Sequence, residues 1–588
     1  MSDTETDLER LMARLEEARL GGRVSSSTAE NVQTWLRQPR YAEYSRQVAE
    51  HIELGKWKEL DDAFWTVIPF GTAGRRGRMY PIGSNAINDR TIGESAQGLA
   101  DYVRDIAAQT CGLQGKKLSC AIAYDTRHNS RHFADLCAEV MAANGFHVHF
   151  FDEYRATPEL SYTVRTLSCD CGIMISASHN PPSDNAVKMF WSNGAQLKPP
   201  HDVGVIQHVM QVETVRRMPF ADAVRESRIS FCKDAMDAGY RAAMVAQGFA
   251  GPRTLKILYT PLHGVGLTSV LPVLSIDGFR DVEIFPPHAK PNGDFPNVPG
   301  HIANPENPAV FDAPIEYAQQ IAADVILASD PDADRLGVAA LLDFATGERW
   351  QTFSGNQIAA LLAEYLLSRR KTAGTLSPDH YLIKTIVTTD MLARQAEAYG
   401  IRCYGEVLTG FKWIGGLIDE VGPEGFVFGA EEAHGYLAGT YCRDKDGAVA
   451  AMLMAELAAA CKAEGRTLHQ ELDRLYGIYG KHVEKQVSIT LPGADGMAKM
   501  TAIMHRLRTT PPQVLAGAKV TRVRDYLYRT DGGALSDVLI FETEVPGFYA
   551  AVRPSGTEPK IKFYLFGRDV DPSRLDAFAS DIVRAAEE

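Results

Sequence analysis

Apolar segments that each end in a polar loop recur along this chain, and they limit what it can fold into. Residues 118–124, 255–260, 324–328 and 425–428 are mostly apolar, and charged, hydroxyl or glycine residues follow each of them directly. Segments with a helical pattern separate them. Strands that alternate with helices predict α/β units with largely parallel sheets, whose ligands lie beyond the carboxyl ends of the strands. The polar loops are therefore expected to meet at one site.

The chain has 588 residues, too many for one hydrophobic core, and a domain size of about 150 residues predicts about four domains. Three successive blocks contain strand and helix pairs with one polar loop each. The C-terminal part differs, because the strands predicted at 486–490, 538–543 and 548–552 look antiparallel around a helix. We expect three similar mixed or parallel α/β domains at 1–228, 229–345 and 346–478, and a smaller α+β domain at 479–588.

Composition disfavours several classes of protein. Hydrophobic residues make up 45% of the chain and charged residues 23%, which is ordinary for a globular protein. The formal net charge of -13 disfavours a general binder of nucleic acid or anionic membranes. Residues 1–23 predict an amphipathic helix rather than a signal peptide, and no apolar run is long enough to span a bilayer. The nine scattered cysteines are typical of reduced thiols. We expect a cytoplasmic protein with neither nucleic acid nor membrane as a partner.

The segment Gly-Ile-Met-Ile-Ser-Ala-Ser-His-Asn-Pro-Pro at 172–182 contains the first loop with chemically active groups. Small and β-branched residues run into Ser178, His179 and Asn180, and two prolines then stop either a helix or a central strand. This pattern predicts a short buried strand that delivers Ser178 to an exposed, stiff loop. The residues alone leave three roles open for this serine: a nucleophile, a carrier of a covalent group, or a turn residue.

Three aspartates, Asp330, Asp332 and Asp334, follow the apolar segment at 324–328. Because they alternate along a segment expected to be extended, their carboxylates can converge on one hard cation. A helical calcium-binding loop is excluded, since it needs a glutamate at its twelfth position, where Leu341 stands. A solvated turn is the alternative to a metal site. Mg²⁺ is the natural ion where a phosphate supplies further oxygens.

The run Arg-Pro-Ser-Gly-Thr-Glu-Pro-Lys at 553–560, followed by Lys562, combines a rigid turn with hydroxyls, backbone amides and positive charge. These groups hold a phosphate dianion, whereas the Gly-Lys-Ser/Thr ending of a nucleotide-binding phosphate loop is missing. A glycine-rich loop at 70–77 carries Arg75 and Arg76, and arginine forks also suit phosphate. A surface turn is the alternative there. The sequence therefore predicts a phosphate ligand but no nucleoside triphosphate.

A polar loop with Glu431, Glu432 and His434 is of the kind that hydrogen-bonds several hydroxyls at once. Lys445 lies shortly downstream in a run of charged residues. It can be a proton donor, a phosphate ligand, or a solvated surface lysine.

Together these loops resemble the α-D-phosphohexomutase superfamily, the phosphoglucomutases and phosphomannomutases. Four motifs match in the family's order: the Ser-Ala-Ser-His-Asn-Pro loop at 176–181, the Asp-x-Asp-x-Asp-Arg loop at 330–335, the glutamate loop, and Arg-Pro-Ser-Gly-Thr-Glu-Pro at 553–559. The loops at 71–77 and 445–447 are most similar to the phosphoglucomutase and phosphopentomutase branch. The resemblance covers residues 70–566 and implies four domains around a deep cleft, the first three sharing one α/β fold.

The resemblance also implies roles for single residues. Ser178 would carry a phosphoryl group, and Asp330, Asp332 and Asp334 would bind one Mg²⁺ together with an oxygen on Ser178. Arg335 would support the transferring phosphoryl group. Three residues stand where the family manages proton transfer: Arg76, His179 and Lys445. The residues expected to bind sugar hydroxyls or the non-reacting phosphate are Thr409, Lys412, Glu431, Glu432, His434, Arg553, Ser555, Gly556, Thr557 and Lys562.

The implied reaction shifts a phosphoryl group between positions 1 and 6 of a sugar, glucose first, with a sugar 1,6-bisphosphate as intermediate and primer. Mannose and pentose phosphates, a synthase that releases the bisphosphate, and an idle scaffold protein on this fold are the alternatives. Ala433 stands where the family commonly has serine, and Arg75 where it usually has an aliphatic residue. A missing hydroxyl weakens discrimination between sugars, so ribose and deoxyribose phosphates stay open. A monomer or a homodimer is expected.

Overall fold

The computed structural model describes residues 3–70, 74–110, 115–344, 347, 349–491, 496–530, 532–555 and 560–587. The chain begins with a helical extension that packs around its own small core, in which Trp35 stacks on Tyr41 with ring centroids 4.6 Å apart. Ser25 caps the second helix by accepting a hydrogen bond from Thr28 N. The four helices of the extension are α1 Asp3–Leu20, α2 Ser26–Arg37, α3 Ala42–Glu53 and α4 Trp57–Phe64.

The first α/β unit contains six strands and five helices. The strands are β1 Gly74–Arg78, β2 Ser119–Tyr124, β3 His147–Phe150, β4 Cys171–Ile175, β5 Asp184–Trp191 and β6 Ile229–Phe231. Their order is β1-β5-β4-β2-β3-β6, and only β5 is antiparallel to its neighbours. The helices are α5 Asp89–Gln109, α6 Ser130–Ala143, α7 Thr157–Thr166, α8 His201–Met210 and α9 Phe220–Arg225. β6 pairs with β3 although the boundary expected at 228 assigns it to the second domain.

The second unit has the strand order β11-β10-β9-β7-β8, in which β7, β8 and β9 are parallel and β10 and β11 antiparallel. The strands are β7 Lys256–Thr260, β8 Asp281–Ile284, β9 Val325–Ser329, β10 Leu336–Leu341 and β11 Trp350–Thr352. The helices are α10 Lys233–Val245, α11 Val270–Asp277, α12 Pro286–Ala289 and α13 Asp312–Ile321. β11 lies beyond the domain boundary expected at 345.

The third unit has four strands in the order β13-β12-β14-β15, with only the last pair antiparallel. The strands are β12 Tyr381–Thr385, β13 Arg402–Val407, β14 Phe426–Glu431 and β15 Gly435–Ala438. The helices are α14 Gly355–Thr372, α15 Met391–Ala398, α16 Phe411–Val421, α17 Gly447–Ala463 and α18 Leu468–Tyr479. One hydrophobic core, which includes most of α14 and α17, joins the sheets of the second and third units.

The C-terminal unit is a six-stranded antiparallel sheet in the order β16-β21-β20-β19-β18-β17. Its strands are β16 His482–Thr490, β17 Val514–Leu515, β18 Ala518–Asp525, β19 Leu539–Thr543, β20 Tyr549–Pro554 and β21 Lys560–Arg568. Helices α19 Gly496–Thr509 and α20 Ser573–Glu587 pack on it. The expected fold class, three mixed α/β units and a smaller sheet-rich unit, is confirmed. Among the described residues, no helix is both long and apolar enough to cross a membrane.

Candidate active site

The serine loop, residues 176–181, follows β4 and differs from its prediction in one respect. The loop was expected to expose Ser178, but this residue is only 2% exposed, because the aspartate loop of the second unit covers it. Ser178 adopts a φ of 53°, and its N–H donates to Ser176 Oγ at 2.8 Å. Its Oγ donates to Asp330 Oδ2 at 2.6 Å and lies 3.0 Å from His179 Nδ1. The hydroxyl therefore faces the carboxylates rather than solvent.

Arg127 holds the serine loop in place through hydrogen bonds to its backbone carbonyls. Its Nε and Nη2 donate to Ser178 O at 3.2 and 2.6 Å, and its Nη1 donates to the carbonyls of Pro181 and Asp184 at 2.8 and 3.1 Å. A further bond reaches Asn180 O. The guanidinium is fully buried. Sequence reasoning gave Arg127 no role, although an arginine directly after a parallel strand, at the edge where ligands bind, was an available signal.

The acidic loop, Asp330, Asp332 and Asp334, begins where β9 ends. It is a turn and not the extended segment that was predicted, because Ala333 has a φ of 52° and its N–H donates to Asp330 O at 2.9 Å. All three carboxylates are buried. They converge nonetheless, since one oxygen of each lies within 4.8 Å of the others.

Groups from the first and third units bind two of these carboxylates, those of Asp332 and Asp334, each through one oxygen. Lys188 Nζ on β5 lies 2.6 Å from Asp332 Oδ2, which also accepts a bond of 2.7 Å from Thr157 Oγ1. Lys445 Nζ lies 3.1 Å from Asp334 Oδ2 and its side chain is 13% exposed, so Lys445 is a largely buried ion-pair partner and not a solvated lysine. Sequence reasoning missed Lys188 and Thr157. A single lysine among the apolar residues 186–191 of β5 was the signal for Lys188.

The oxygens that remain suit a hard divalent cation. Asp332 Oδ1 and Asp334 Oδ1 are buried and have no hydrogen-bond partner among the described residues, which is costly unless a ligand or ion supplies one. Burial, followed by the charges of Asp334 and Asp332, raises the pKa of Asp330 well above its ordinary value. Burial opposes ionisation of Asp332, but Lys188 and the bond from Thr157 outweigh it and hold its pKa well below the ordinary value. Convergent buried carboxylates of this kind fit Mg²⁺.

Arg335 connects the acidic loop with the third unit. Its guanidinium pairs with Glu306, and its Nε lies 4.0 Å from Asp330 Oδ2 and 3.9 Å from Asp334 Oδ1. Its backbone forms an isolated bridge with Gly435. Burial lowers the pKa of this arginine, but the carboxylates of Glu306 and the acidic loop outweigh burial and raise it. Arg335 therefore remains a cation beside the serine loop.

The sugar loop, residues 431–434, lies between β14 and β15. Glu431 was predicted in a loop but is the last residue of β14, and its Oε1 accepts a bond of 2.8 Å from Gly410 N. Thr385 donates to Glu432 Oε2 at 3.4 Å, and burial together with Glu431 raises the pKa of Glu432 to about 7. His434 has a buried Nδ1 without a partner among the described residues.

Residues 553–562, the distal loop, are described at both ends. Arg553 donates to Thr409 Oγ1 across the boundary between the third and fourth units, and Ser555 N donates to Lys560 O at 2.7 Å. Lys562 pairs with Arg553 in the β20–β21 register, and burial and then Arg553 lower its pKa. Lys412 is bound to Asp202 at 3.2 Å. Gly556 and Thr557 lie outside the described residues.

The two adjacent arginines on β1 have separated roles. Arg76 reaches the serine loop, where its Nη1 lies 3.4 Å from Asn180 Oδ1. Arg75 points the opposite way and is buried against Glu94, 2.9 Å from Nη1 to Oε2, so it is not part of this site.

His179 follows Ser178 in the serine loop. Burial, together with the cations Arg335 and Arg76, lowers the pKa of His179 well below its usual value.

The serine, acidic and sugar loops of three α/β/α units meet in this site. This arrangement is that of the sugar-phosphate mutases. Models of the phosphoglucomutase/phosphomannomutase α/β/α domains I, II and III match residues 68–216, 239–341 and 354–479. The chain belongs to the phosphoglucomutase/phosphomannomutase family and is a phosphohexomutase.

Individual proteins agree with this assignment. The chain is 34% identical over 521 residues to a phosphoglucomutase of Staphylococcus epidermidis, covering 86% of this chain and 92% of the relative. A phosphoglucomutase of Staphylococcus aureus is 34% identical over 520 residues, with coverages of 86% and 91%. A phosphoglucomutase/phosphomannomutase family protein from Burkholderia thailandensis has the same fold, with a TM-score of 0.65, 18% identity and coverages of 89% and 98%. Parafusin, a phosphoglucomutase from Paramecium in its open form, gives a TM-score of 0.65 at 17% identity, with coverages of 88% and 94%.

Proposed function

We propose that this phosphohexomutase interconverts glucose 1-phosphate and glucose 6-phosphate through a phosphoserine at Ser178. The observation that carries the proposal is the hydrogen bond of 2.6 Å from Ser178 Oγ to Asp330 Oδ2, which sets a buried hydroxyl against three carboxylates. The phosphoglucomutase names of the staphylococcal relatives support glucose as the sugar. A bound sugar 1,6-bisphosphate links the two halves of the reaction and also primes the enzyme.

The acidic loop is proposed to hold one Mg²⁺ through Asp330, Asp332 and Asp334, with an oxygen of phosphorylated Ser178 as a further ligand. Bound there, the ion would offset negative charge on the transferring phosphoryl group. Phosphorylation removes the O–H that Ser178 donates to Asp330 Oδ2, so this oxygen becomes available as a ligand. Lys188 and Lys445 keep the other two carboxylates oriented through their second oxygens.

In the transfer step, a sugar hydroxyl oxygen bonds to phosphorus while the bond from phosphorus to Ser178 Oγ breaks. The hydroxyl proton leaves to a base of the site, and Ser178 Oγ is protonated when its free hydroxyl is restored. Arg335 stabilises the loosened phosphoryl group, and proton transfer is assigned jointly to Arg76, His179 and Lys445. The reverse transfer, from the other phosphate of the bisphosphate, restores phosphoserine and releases the isomer. The covalent intermediate divides one exchange into two similar steps.

The bisphosphate must turn between the two transfers, so both of its phosphates use the same distal loop. Arg553, Ser555 and Lys562, with Gly556 and Thr557, are proposed to grip the phosphate that is not reacting. The sugar hydroxyls are assigned to the residues of the sugar loop and its neighbours: Thr409, Lys412, Glu431, Glu432 and His434. Ala433 offers no hydroxyl there, so we expect mannose, ribose and deoxyribose phosphates to react more slowly but measurably.

The protein is proposed to act in the cytoplasm, as a monomer or homodimer, on a small phosphosugar. We propose four domains at residues 1–228, 229–345, 346–478 and 479–588, with β6 and β11 extending the first and second sheets past the first two boundaries.

Substitution of the serine tests the proposal. Ser178→Ala should lower mutase turnover by roughly 10⁴-fold or more, because the covalent route is lost, while glucose 1-phosphate still binds with nearly unchanged affinity. Intact mass should show one phosphate on the wild type after incubation with glucose 1,6-bisphosphate and none on the variant. Ser183→Ala is the matched control, since Ser183 is exposed just beyond the serine loop and its side chain bonds only Asp184 among the described residues.

Two results would contradict the proposal. Near-normal turnover by Ser178→Ala would exclude the phosphoserine. Net release of bisphosphate from an added acyl phosphate, without exchange between positions 1 and 6, would identify a synthase instead of a mutase. Rates with glucose, mannose, ribose and deoxyribose 1-phosphates, each with and without bisphosphate, would rank the sugars.

A further inference from the structure

A cavity of about 180 Å³ lies between the helical extension and the first α/β unit. Trp35 and Tyr41 line it from the extension, and Arg75, Thr91 and Glu94 line it from β1 and α5. None of the serine, acidic, sugar or distal loops contributes to its lining. The cavity is therefore separate from the candidate active site.

Arg75 is the first unusual feature of this cavity. Its side chain is only 3% exposed, and its Nη1 donates to Thr91 O at 3.0 Å and to Glu94 Oε2 at 2.9 Å. In the part of the chain that the structure describes, its Nε is buried and has no hydrogen-bond partner. Buried charged donors without an acceptor are costly, and a ligand oxygen removes this cost.

Arg40 is the second unusual feature, because it also lines the cavity and has an N–H donor without an acceptor. Its Nη1 lies 3.5 Å from Val212 O and 3.2 Å from Glu213 Oε1, and its Nε is buried without a partner among the described residues. The guanidinium is 20% exposed. The two arginines reach the cavity from different parts of the fold, the extension and β1.

The charge around the cavity is positive. Glu94 is the one acidic residue in its lining, and both of its oxygens are engaged, one by Arg75 and the other by Arg90 Nε at 2.8 Å. Glu213, the partner of Arg40, is 75% exposed and faces solvent. Arg75 and Arg90 contact Glu94, and Arg40 contacts the exposed Glu213, so three arginines face two carboxylates and one positive charge is in excess.

We propose that this cavity is a binding site for a compact oxyanion, a phosphate group held by Arg75 and Arg40. The volume of about 180 Å³ equals the space of about six water molecules in the liquid, which accommodates inorganic phosphate or a short phosphate ester. Arginine forks match phosphate oxygens in geometry and charge. This site goes beyond the proposed mutase reaction and does not depend on it.

Calorimetric titration of the full chain with inorganic phosphate tests the site. The Arg553→Ala variant serves as the background, so that the distal loop contributes little heat. In this background we expect saturable binding that Arg40→Met weakens about tenfold or more, as loss of a charged hydrogen bond predicts. Arg75→Met should have a similar effect. Arg37→Met, which removes an exposed arginine near the C-terminal end of α2, is the matched control and should bind as the background does.

A parallel titration with glycerol 3-phosphate distinguishes the two sources of the phosphate group, because the tighter ligand identifies whether the free ion or an ester is preferred. Sodium chloride at equal ionic strength controls for general screening. The proposal is overturned if phosphate gives no saturable heat, or if Arg40→Met binds as tightly as Arg37→Met. Because Arg40 is partly exposed, its substitution should leave the fold intact, and the test stands even if Arg75→Met does not fold. The heats are measured without turnover, so a failed mutase assay would not affect them.

Discussion

The serine loop and the distal loop of the candidate active site are held in different ways. At the serine end, one side chain, that of Arg127, donates to the carbonyls of Ser178, Asn180, Pro181 and Asp184, and Asp330 fixes the hydroxyl. At the distal end, the bond from Arg553 to Thr409 crosses between two units. The contrast fits the proposed chemistry, since bond breaking needs preorganised groups whereas the distal loop has to accept either phosphate in turn.

Among the residues that position the reacting groups, the largest effect is expected where a carboxylate depends on a buried cation. Lys188→Met would leave Asp332 without its cation, and removing one partner of a buried pair costs about 3 kcal/mol or more. We expect kcat/KM to fall by roughly 10³-fold, which corresponds to about 4 kcal/mol. Denaturant unfolding in EDTA should show the loss of stability. Lys188→Arg should keep most of both quantities, and a fully active Lys188→Met protein would refute this function of the lysine.

A smaller effect is expected for the residue that holds the serine loop in place. Arg127→Lys keeps the charge but loses the fork that bonds several carbonyls at once. Misplacing a reacting group by about 1 Å costs roughly 100-fold in rate, so kcat should fall by about that factor with KM little changed. If KM rose while kcat stayed constant, Arg127 would be acting on substrate binding and the comparison between the two ends would fail.

At the distal end, a substitution should change KM more than kcat. Arg553→Ala removes a cation from the proposed phosphate grip, and a charged hydrogen bond contributes about 1.5–3 kcal/mol. We expect KM for glucose 1-phosphate to rise by roughly 10-fold to 100-fold. Single-turnover transfer from phosphorylated enzyme at saturating sugar should change much less. An unchanged KM would count against the distal role of Arg553.

The smallest effect is expected for Thr409→Val, which removes the acceptor that Arg553 uses across the boundary between units. The donor is a cation and the acceptor is neutral, so the bond contributes about 1.5 kcal/mol, the lower end for charged hydrogen bonds, and KM should rise by no more than about tenfold. When Thr409→Val is combined with Arg553→Ala, the rise in KM, expressed as free energy, should be smaller than the sum of the two single effects, because both changes break the same contact. Strict additivity in the double mutant would show that the contact does not couple the two units.

Sequence reasoning located most of the candidate site because its loops follow strands in chain order. It could not show that Ser178 is buried, since the covering Asp330 lies 152 residues away. It missed Lys188, which reaches Asp332 over a separation of 144 residues, for the same reason. Such contacts depend on how separate units pack and leave little local pattern.

The strand alternation separates the two adjacent arginines. Arg75 and Arg76 are consecutive residues of a strand, and successive side chains of a strand point to opposite faces. Only one of them can therefore face the serine loop. The structure gives that place to Arg76 and directs Arg75 toward Glu94.

The acidic loop is assembled from all three α/β units, since Thr157 and Lys188 come from the first, the aspartates from the second and Lys445 from the third. No single unit contains the complete set of partners. A cation that binds only the assembled set shifts the equilibrium toward the folded and docked chain by mass action. Metal affinity would thus report on the assembly of the protein, and fragments that contain only one unit should bind the ion weakly even when they fold.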